Sequence, residues 1–265
     1  MFKIFQRLWQ VNWAEQWQYR ANLIMYLLYW LVSPIIYLAV WTSIANSKGD
    51  VNGFTANDFT TYYLTLLIVD QITSNIVIHS FGYKIQDGTL SGELVRPIHP
   101  MLTNGLVNNI AFKALTIMGF IPIWLILFVL YKPDFSSVTL SGVLLAIPAM
   151  LMGFLVGYLL SAAITSLAFW TTRVYSIHEF YYALILLFSG QFVPLTLMPR
   201  LIQDIAQYLP FQLLIYFPIQ LILGRLSGAQ IVQGFAMGSI WLVVSILLFN
   251  LIWRNGVKRF SAVGA

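Results

Sequence analysis

The sequence predicts an all-α integral membrane protein built from six transmembrane helices. Hydrophobic residues make up 59% of the 265 residues and charged residues only 9%, whereas about 25% of the residues of an average soluble domain are charged. The charged residues also lie between long apolar runs, as the topology signals of membrane proteins do. We therefore interpret residues 1–265 as a single transmembrane domain and exclude a soluble fold.

The charge distribution and the cysteine count exclude several classes of function. The net charge is +5, but the basic residues flank apolar runs, so we expect no nucleic-acid partner. The chain has no cysteine, which excludes a disulfide framework and a thiolate nucleophile. His79, His99 and His178 fall in separate segments without ligand spacing, so we expect no metal site.

Residues 1–20 are predicted to form an interfacial helix. Phe5, Trp9, Trp13 and Trp17 recur at every fourth position and therefore share one helix face. Tryptophan prefers the headgroup level of a bilayer, which favours a helix lying on the membrane surface. The alternative is that this aromatic stripe packs against the protein's own helices.

Six apolar runs are predicted to cross the membrane. A helix rises about 1.5 Å per residue, so about 20 residues span a hydrocarbon core of about 30 Å. The predicted spans are approximately 22–44, 59–80, 108–131, 138–170, 180–197 and 231–253.

The segment 199–228 is apolar but is interrupted by prolines and charges, which argues against a single crossing. We expect a re-entrant pair of short helices that dips into the outer leaflet. The alternative is a helical hairpin lying on the membrane surface. The interrupting residues are Pro199, Arg200, Asp204, Pro210, Pro218 and Arg225.

The positions of lysine and arginine predict the orientation. With both termini in the cytoplasm, ten basic residues lie inside and four outside, as the positive-inside rule requires. Lys113 is counted inside because it is expected to extend its side chain toward the nearer membrane surface. The inner set is Lys3, Arg7, Arg20, Lys84, Arg96, Lys113, Arg173, Arg254, Lys258 and Arg259, and the outer set is Lys48, Lys132, Arg200 and Arg225.

The cytoplasmic segment 86–100 is the most informative stretch of the chain. Asp87 is predicted to cap the start of a short helix over 88–95. Pro97 and Pro100 prevent this helix from continuing. Leu90 and Leu94 would lie on one side of this helix. They would present an apolar surface, flanked by Glu93 and Arg96, to a groove on a cytosolic partner. The alternative is a connecting turn resting on the bilayer. The expected docking residues are Asp87, Gly88, Leu90, Glu93, Leu94, Arg96 and Pro97.

Asp70 is the one acidic residue placed in the middle of a predicted span. A charged group at this depth costs at least about 2.5 kcal/mol unless it is paired or hydrated. Asp70 therefore either lines a transport path or makes a structural hydrogen bond to Gln71, Thr73 or a neighbouring helix.

Two glycine pairs permit close helix approach. They are Gly153 with Gly157, and Gly234 with Gly238. We favour packing within the chain over a dimer seam for both pairs.

The chain resembles the permease subunits of ABC type-2 exporters over nearly its whole length. The resemblance rests on the order of the predicted parts, on Gly-Thr-Leu-Ser…Leu…Arg-Pro-Ile-His-Pro ending at Pro100, and on Ser-Gly-Gln-Phe-Val-Pro-Leu starting at Ser189. The tail Trp-Arg-Asn-Gly-Val-Lys-Arg-Phe from Trp253 is similar to a bacterial branch of that group, often labelled only as an uncharacterised transport permease.

The resemblance implies a subunit of an exporter in the bacterial plasma (inner) membrane. It implies that 86–100 is a coupling helix contacting a cytosolic ABC ATPase, that the interfacial helix supports this contact, and that 199–228 lies at the outer mouth. ATP and Mg²⁺ would be bound by that partner, since this chain has no GxxxxGK[ST] motif and no catalytic residues or cofactor of its own are expected.

The resemblance also implies a path between two permeases. We expect the second permease to be a related chain rather than an identical one. The path or its hinges are expected to include Asp70, Gln71, Phe192, Pro194 and Pro210. The cargo would be lipid-like, glycan, peptide or drug-like, and the sequence does not specify which. Two other classes stay open, namely an ion-coupled secondary transporter using Asp70 and a membrane scaffold or insertase.

Overall fold

The computed structural model describes residues 2–260, and within them the side chains of all residues except 2–5, 20, 80 and 104. The tail residues 261–265 and the side chains of Lys3, Phe5 and Arg20, on which parts of the sequence interpretation depend, lie outside this description. The helices are α1 (Phe2–Gln18), α2 (Arg20–Lys48), α3 (Ala56–Thr73), α4 (Val77–Gln86), α5 (Ser91–Leu94), α6 (Asn108–Tyr131), α7 (Leu140–Ser166), α8 (Val174–Phe188), α9 (Arg200–Ala206), α10 (Tyr216–Ile222) and α11 (Gly228–Val257).

Five segments within residues 2–260 are long and apolar enough to cross a membrane. They are Ala21–Lys48, Ala56–Gln86, Met101–Tyr131, Leu140–Phe169 and Gly228–Val257. The prediction of a transmembrane helical bundle is confirmed by these five segments, but the count of six is not. The part of α8 within the predicted span 180–197 is residues 180–188, and α8 as a whole has 15 residues. Gly190 adopts a φ of +85° and Pro194 follows it, so the helix cannot continue through this stretch.

The second span is interrupted near its middle. α3 ends at Thr73, and Ser74 is extended with a ψ of 167°, so that α4 restarts only at Val77. The break leaves backbone carbonyls at the end of α3 without helical partners inside the membrane, and these must be satisfied by side chains.

The third span is longer than predicted at its cytoplasmic end. A π-helical stretch, Met101–Val107, precedes α6 and runs into it. Pro100 is buried and lies directly before this stretch. Lys113 is therefore three turns inside the continuous helix rather than close to its end.

The glycines of α7 and α11 allow close packing within the chain. A Cβ atom added at Gly153 would collide with the carbonyl of Leu213, and one at Gly238 would collide with Met152 of α7. A Cβ atom at Gly234 would collide with the ring of Phe217 in α10. The expectation of intramolecular packing is confirmed at these three positions.

Segment 199–228 forms two short helices, α9 and α10, joined by a 3₁₀ turn over Pro210–Leu213. The second half of the segment is deeply buried and packs against α7 and α3. Its buried apolar residues are Phe211, Leu213, Leu214, Ile215, Phe217, Ile219, Leu221 and Leu223.

Helix α1 packs against the π-helical stretch and α6. Gln16 donates a hydrogen bond of 3.1 Å to Asn108 at the start of α6. Trp9 and Trp13 are stacked at 5.6 Å and half-buried, whereas Trp17 remains 49% exposed. Part of the aromatic stripe thus packs on the protein's own helices, and the location of α1 at the membrane surface stays a prediction.

Candidate functional site

The 86–100 segment begins with a tight turn that ends α4. The carboxylate of Asp87 accepts hydrogen bonds from the backbone N–H and the hydroxyl of Thr89, at 3.0 and 2.7 Å. These bonds lower the pKa of Asp87. Gly88 follows with a φ of +80°, a conformation that glycine adopts without strain.

The helix in this segment is shorter than the predicted 88–95. It comprises only Ser91–Leu94, because Asp87 and Gly88 are used to terminate α4. The prediction that Asp87 caps the short helix is therefore wrong, since its carboxylate binds Thr89 instead.

An ion pair holds the short helix α5 against α4. Lys84 donates to a Glu93 carboxylate oxygen at 2.7 Å, and the Glu93 side chain is only 12% exposed. The second oxygen of Glu93 is buried without a partner among the described residues. Glu93 therefore acts within the chain and is a poor candidate for contact with another protein.

The two leucines of the segment point into the protein rather than outward. Leu90 is fully buried in a cluster with Val77, Phe81, Met101 and Trp253, and Leu94 packs against the same cluster. The prediction of an outward apolar surface at Leu90 and Leu94 is wrong, because burial against α4 and α11 competes for these side chains.

The exposed residues of the segment are Asp87, Thr89, Gly92, Val95, Arg96 and Pro97, and the last three are consecutive. Val95 is 85% exposed, which makes it the most exposed large apolar residue described. Val95 is exposed after α5 because the turn at Asp87 ends α4 and shortens α5. Sequence periodicity does not predict this turn.

A basic groove lies next to this surface. His99 contacts the indole of Trp253, with ring centroids 4.8 Å apart, and burial lowers the pKa of His99. Trp253 and its neighbours Arg254 and Lys258 line the other side of the groove. The end of α11 is thus in direct contact with the 86–100 segment.

A cavity of about 150 Å³ lies between α2, α3, α4, α7 and α8. We call it the polar cavity, because charged, amide and hydroxyl groups face it between the apolar and aromatic side chains that form the larger part of its wall. It is lined by Tyr26, Tyr29, Trp30, Ser33, Asp70, Thr73, Ser74, Asn75, Ile76, His79, Ser161, His178, Glu179, Tyr181, Tyr182, Ile185, Gln191, Leu214 and Ile215.

Asp70 faces the polar cavity from the last turn of α3. The ion pairs among the described residues are Lys84–Glu93 and Arg225–Asp58, so no described cation lies within 4.0 Å of the Asp70 carboxylate. The structure thus places Asp70 on a cavity wall, and no described hydrogen bond joins it to Gln71 or Thr73.

Lys113 is a buried residue that the sequence interpretation placed near the membrane surface. Its side chain does not extend outward, because its ammonium donates to the Gln71 carbonyl at 2.9 Å and to the Ser74 hydroxyl at 3.3 Å. It also lies 5.3 Å from the centre of the Phe154 ring. The break between α3 and α4 makes these two groups available as acceptors. Residues 74–76 include neither glycine nor proline, so the sequence does not predict the break.

The other predicted path residues lie away from the polar cavity. The Gln71 side chain donates to the Thr116 hydroxyl at 2.6 Å, so it joins α3 to α6. Phe192 contacts Tyr37 and Trp41, and its carbonyl accepts a hydrogen bond from the Tyr63 hydroxyl at 2.7 Å. Pro194 is buried directly before one 3₁₀ stretch, and Pro210 is buried as the first residue of another.

Histidine side chains line the polar cavity without forming a metal site. His79 and His178 have ring centroids 6.3 Å apart. Within residues 2–260, no three histidine, aspartate or glutamate side chains come together as metal ligands.

A sequence profile of the family described as "ABC-2 family transporter protein" matches residues 21–264. The match covers all the apolar segments described above, the 86–100 segment and the polar cavity. A search of curated protein sequences finds no match to this chain.

Proposed function

The chain belongs to the ABC-2 transporter family, and on that premise we propose that it is the membrane-spanning half of an exporter driven by ATP hydrolysis on a separate subunit. Membership makes the chain a multi-pass membrane subunit of a transporter. The direction of transport, the ATP and Mg²⁺ bound by the partner, and the cargo belong to the proposal.

The observation that carries the proposal is the construction of the 86–100 segment. The Lys84–Glu93 ion pair and the buried Leu90 fix the segment to α4, while Val95, Arg96 and Pro97 stay exposed. A fixed surface with an exposed apolar residue beside a cation suits contact with a cytosolic ATPase. Rigid attachment allows a small movement of that partner to displace the spans.

The remaining parts fit a path shared by two permeases. The burial of residues 211–223 against α7 and α3 supports a re-entrant segment, because irregular backbone at membrane depth requires protein cover. We infer that α8 and the following residues 189–197 together make the sixth crossing. Both termini are then cytoplasmic, and the second permease, preferably a related chain, completes the path.

An ion-coupled secondary transporter is the alternative, and it rests on Asp70 facing the polar cavity. The two functions differ in their energy source. Transport into vesicles that follows an ion gradient and needs no ATP would support the alternative and contradict the exporter.

The proposed function is tested by copurification of the full-length chain from membranes with a P-loop ATPase. We expect the complex to be lost in Val95→Asp and Arg96→Glu, because these changes bury a charge or reverse one at the contact. The expected loss is about tenfold or more in bound ATPase, since central interface residues contribute 2 kcal/mol or more.

Lys48→Glu is the matched control, because Lys48 is exposed at the end of α2, on the opposite side of the membrane in the proposed orientation. Glu93 is not used, since its reversal would break the pair with Lys84. An undiminished complex in both 86–100 variants would contradict the assignment of this surface.

A further inference from the structure

The polar cavity has a composition that points to a particular chemical class of ligand. Its wall carries two carboxylates, Asp70 and Glu179, and neither lysine nor arginine is among the lining residues. Lys113 is not among the lining residues, and its ammonium donates to the Gln71 carbonyl and the Ser74 hydroxyl. With the histidines neutral, the formal charges of Asp70, Glu179 and Lys113 sum to one negative charge.

Several polar groups of the wall are buried and poorly hydrogen-bonded. The Asn75 amide oxygen has no hydrogen-bond partner among the described residues. The Ser161 and Tyr181 hydroxyls lie close enough to interact with each other, as do Gln191 and the Tyr182 hydroxyl, but neither pair has good hydrogen-bond geometry. Gln191, Ser161 and Tyr181 are 7% exposed or less. Buried polar atoms without partners are costly, so this wall is suited to a ligand that supplies hydrogen-bond donors.

Aromatic rings complete the wall. Tyr26, Tyr29 and Trp30 line it from α2, and Tyr181 and Tyr182 line it from α8. The faces of tyrosine and tryptophan rings attract cations, and the attraction grows when water is excluded. Carboxylates, amide oxygens and aromatic faces are together the groups that recognise an organic ammonium ion.

The volume limits what can enter. A cavity of about 150 Å³ accommodates a group of benzene size, so a headgroup fits and a whole amphiphile does not. Tyr29 of α2 lines the cavity and is 70% exposed, so this wall of the cavity reaches the surface of the chain. A chain attached to the headgroup could therefore remain outside.

We propose that the polar cavity is a binding site for the ammonium headgroup of a cargo amphiphile. The proposal rests on the proposed export function and specifies its substrate class. Asp70 and Glu179 balance the charge of the headgroup, the amide oxygens accept its N–H groups, and the tyrosine and tryptophan rings contact its substituents. In the proposed orientation the cavity lies in the cytoplasmic half of the membrane, where a cargo to be exported would bind first.

The test is a binding titration of the full-length chain in phosphatidylcholine nanodiscs. Dodecylammonium is added while the melting temperature is followed, because a ligand of the native state raises that temperature with concentration. We expect dodecylammonium to stabilise the chain and Asp70→Asn to weaken its affinity about tenfold, since a hydrogen bond to a charged group contributes about 1.5–3 kcal/mol.

Glu179→Gln is the second variant and is expected to weaken binding as well. Glu179 is exposed, so this change decides the question if Asp70→Asn fails to fold. Asp50→Asn is the matched control, because Asp50 is an exposed aspartate in the loop between α2 and α3; it should bind dodecylammonium as the unchanged chain does.

Uncharged and inorganic probes complete the design. Equal stabilisation by dodecanol or by Na⁺, or an unchanged affinity in both carboxylate variants, would overturn the proposal. Stabilisation by methylammonium as well as dodecylammonium would support the site with a free cytosolic ammonium ion as its source, whereas a requirement for the dodecyl chain would support an amphiphile from the bilayer.

The titration needs no ATPase, so its outcome separates the two proposals. Ammonium binding without a copurifying ATPase would leave the cavity assignment standing and remove the exporter. A copurifying ATPase without carboxylate-dependent ammonium binding would do the reverse.

Discussion

Lys113 compensates for the break between α3 and α4. The break leaves the Gln71 carbonyl without a helical partner, and the Lys113 ammonium donates to it at 2.9 Å. A buried carbonyl without a partner is costly in the membrane interior. A single side chain of α6 thus allows α3 to end inside the membrane.

Lys113→Met is expected to destabilise the chain. Methionine has a similar length but no donor, so the Gln71 carbonyl and the Ser74 hydroxyl lose their partner. The expected loss is about 1–3 kcal/mol in the free energy of unfolding, read as a lower melting temperature in nanodiscs. Lys48→Met is the control, since Lys48 is exposed, and equal melting temperatures of the two variants would refute this role of Lys113.

Single residues were predictable from sequence to different degrees. Asp70 could be singled out because an acid within an apolar run is costly and therefore informative. The burial of Leu90 could not be predicted, because the cluster that buries it includes Trp253, which lies more than 160 positions away. Likewise, the acceptors of Lys113 exist only where α3 and α6 meet.

At the level of elements, α7 packs against the second half of segment 199–228 through backbone contacts. Gly153 brings α7 so close to the turn before α10 that the Leu213 carbonyl occupies the space of a Cβ atom. A backbone carbonyl cannot rotate away as a side chain can. Glycine is therefore required at 153.

Gly153→Ala is expected to lower the melting temperature despite the higher helix propensity of alanine. The gain in propensity is about 1 kcal/mol, while overpacking against fixed backbone costs about 1–3 kcal/mol. Gly157→Ala lies one turn further along the same helix, where a Cβ atom would make an ordinary contact of 3.4 Å with Leu214. It should be neutral or stabilising, and an equal effect of both changes would argue against the close contact at Gly153.

The long elements were predictable because uncharged runs of more than 20 residues have few alternatives to crossing a membrane. The interruptions were not. Ser74, Asn75 and Ile76 include neither glycine nor proline, so the break in the second span has no sequence signal. The π-helical start of the third span follows two prolines, which predict the end of a helix and not its start. Helix α5 is short because Asp87 and Gly88 end α4 and are not available to begin α5.

For the whole molecule, the orientation is the property on which both proposals depend. Moving Lys113 from the inner set into the membrane leaves nine basic residues inside against four outside, so the positive-inside rule still predicts that both termini are cytoplasmic. The 86–100 segment then faces the cytosol and the loop 132–139 faces outward.

The absence of cysteine makes this orientation directly testable. In intact cells, a membrane-impermeant maleimide is expected to label Ser136→Cys and not Gly92→Cys, and inverted membranes should give the opposite pattern. Both positions are exposed, and Gly92 has no neighbouring atom within 4 Å of an added Cβ. Labelling of Gly92→Cys from outside would invert the orientation and remove the contact with a cytosolic ATPase.

Helix α11 connects the two ends of the molecule without interruption. Its 30 residues extend about 45 Å. Gly234 contacts Phe217 of α10 near one end, and Trp253 contacts His99 near the other end. An unbroken helix is stiff along its axis. We therefore expect a displacement of its cytoplasmic end to be transmitted along the helix to α10 at the other end. In the proposed exporter, α11 would therefore link the ATPase contact to segment 199–228, and a movement of the ATPase would reach that segment without passing through the polar cavity.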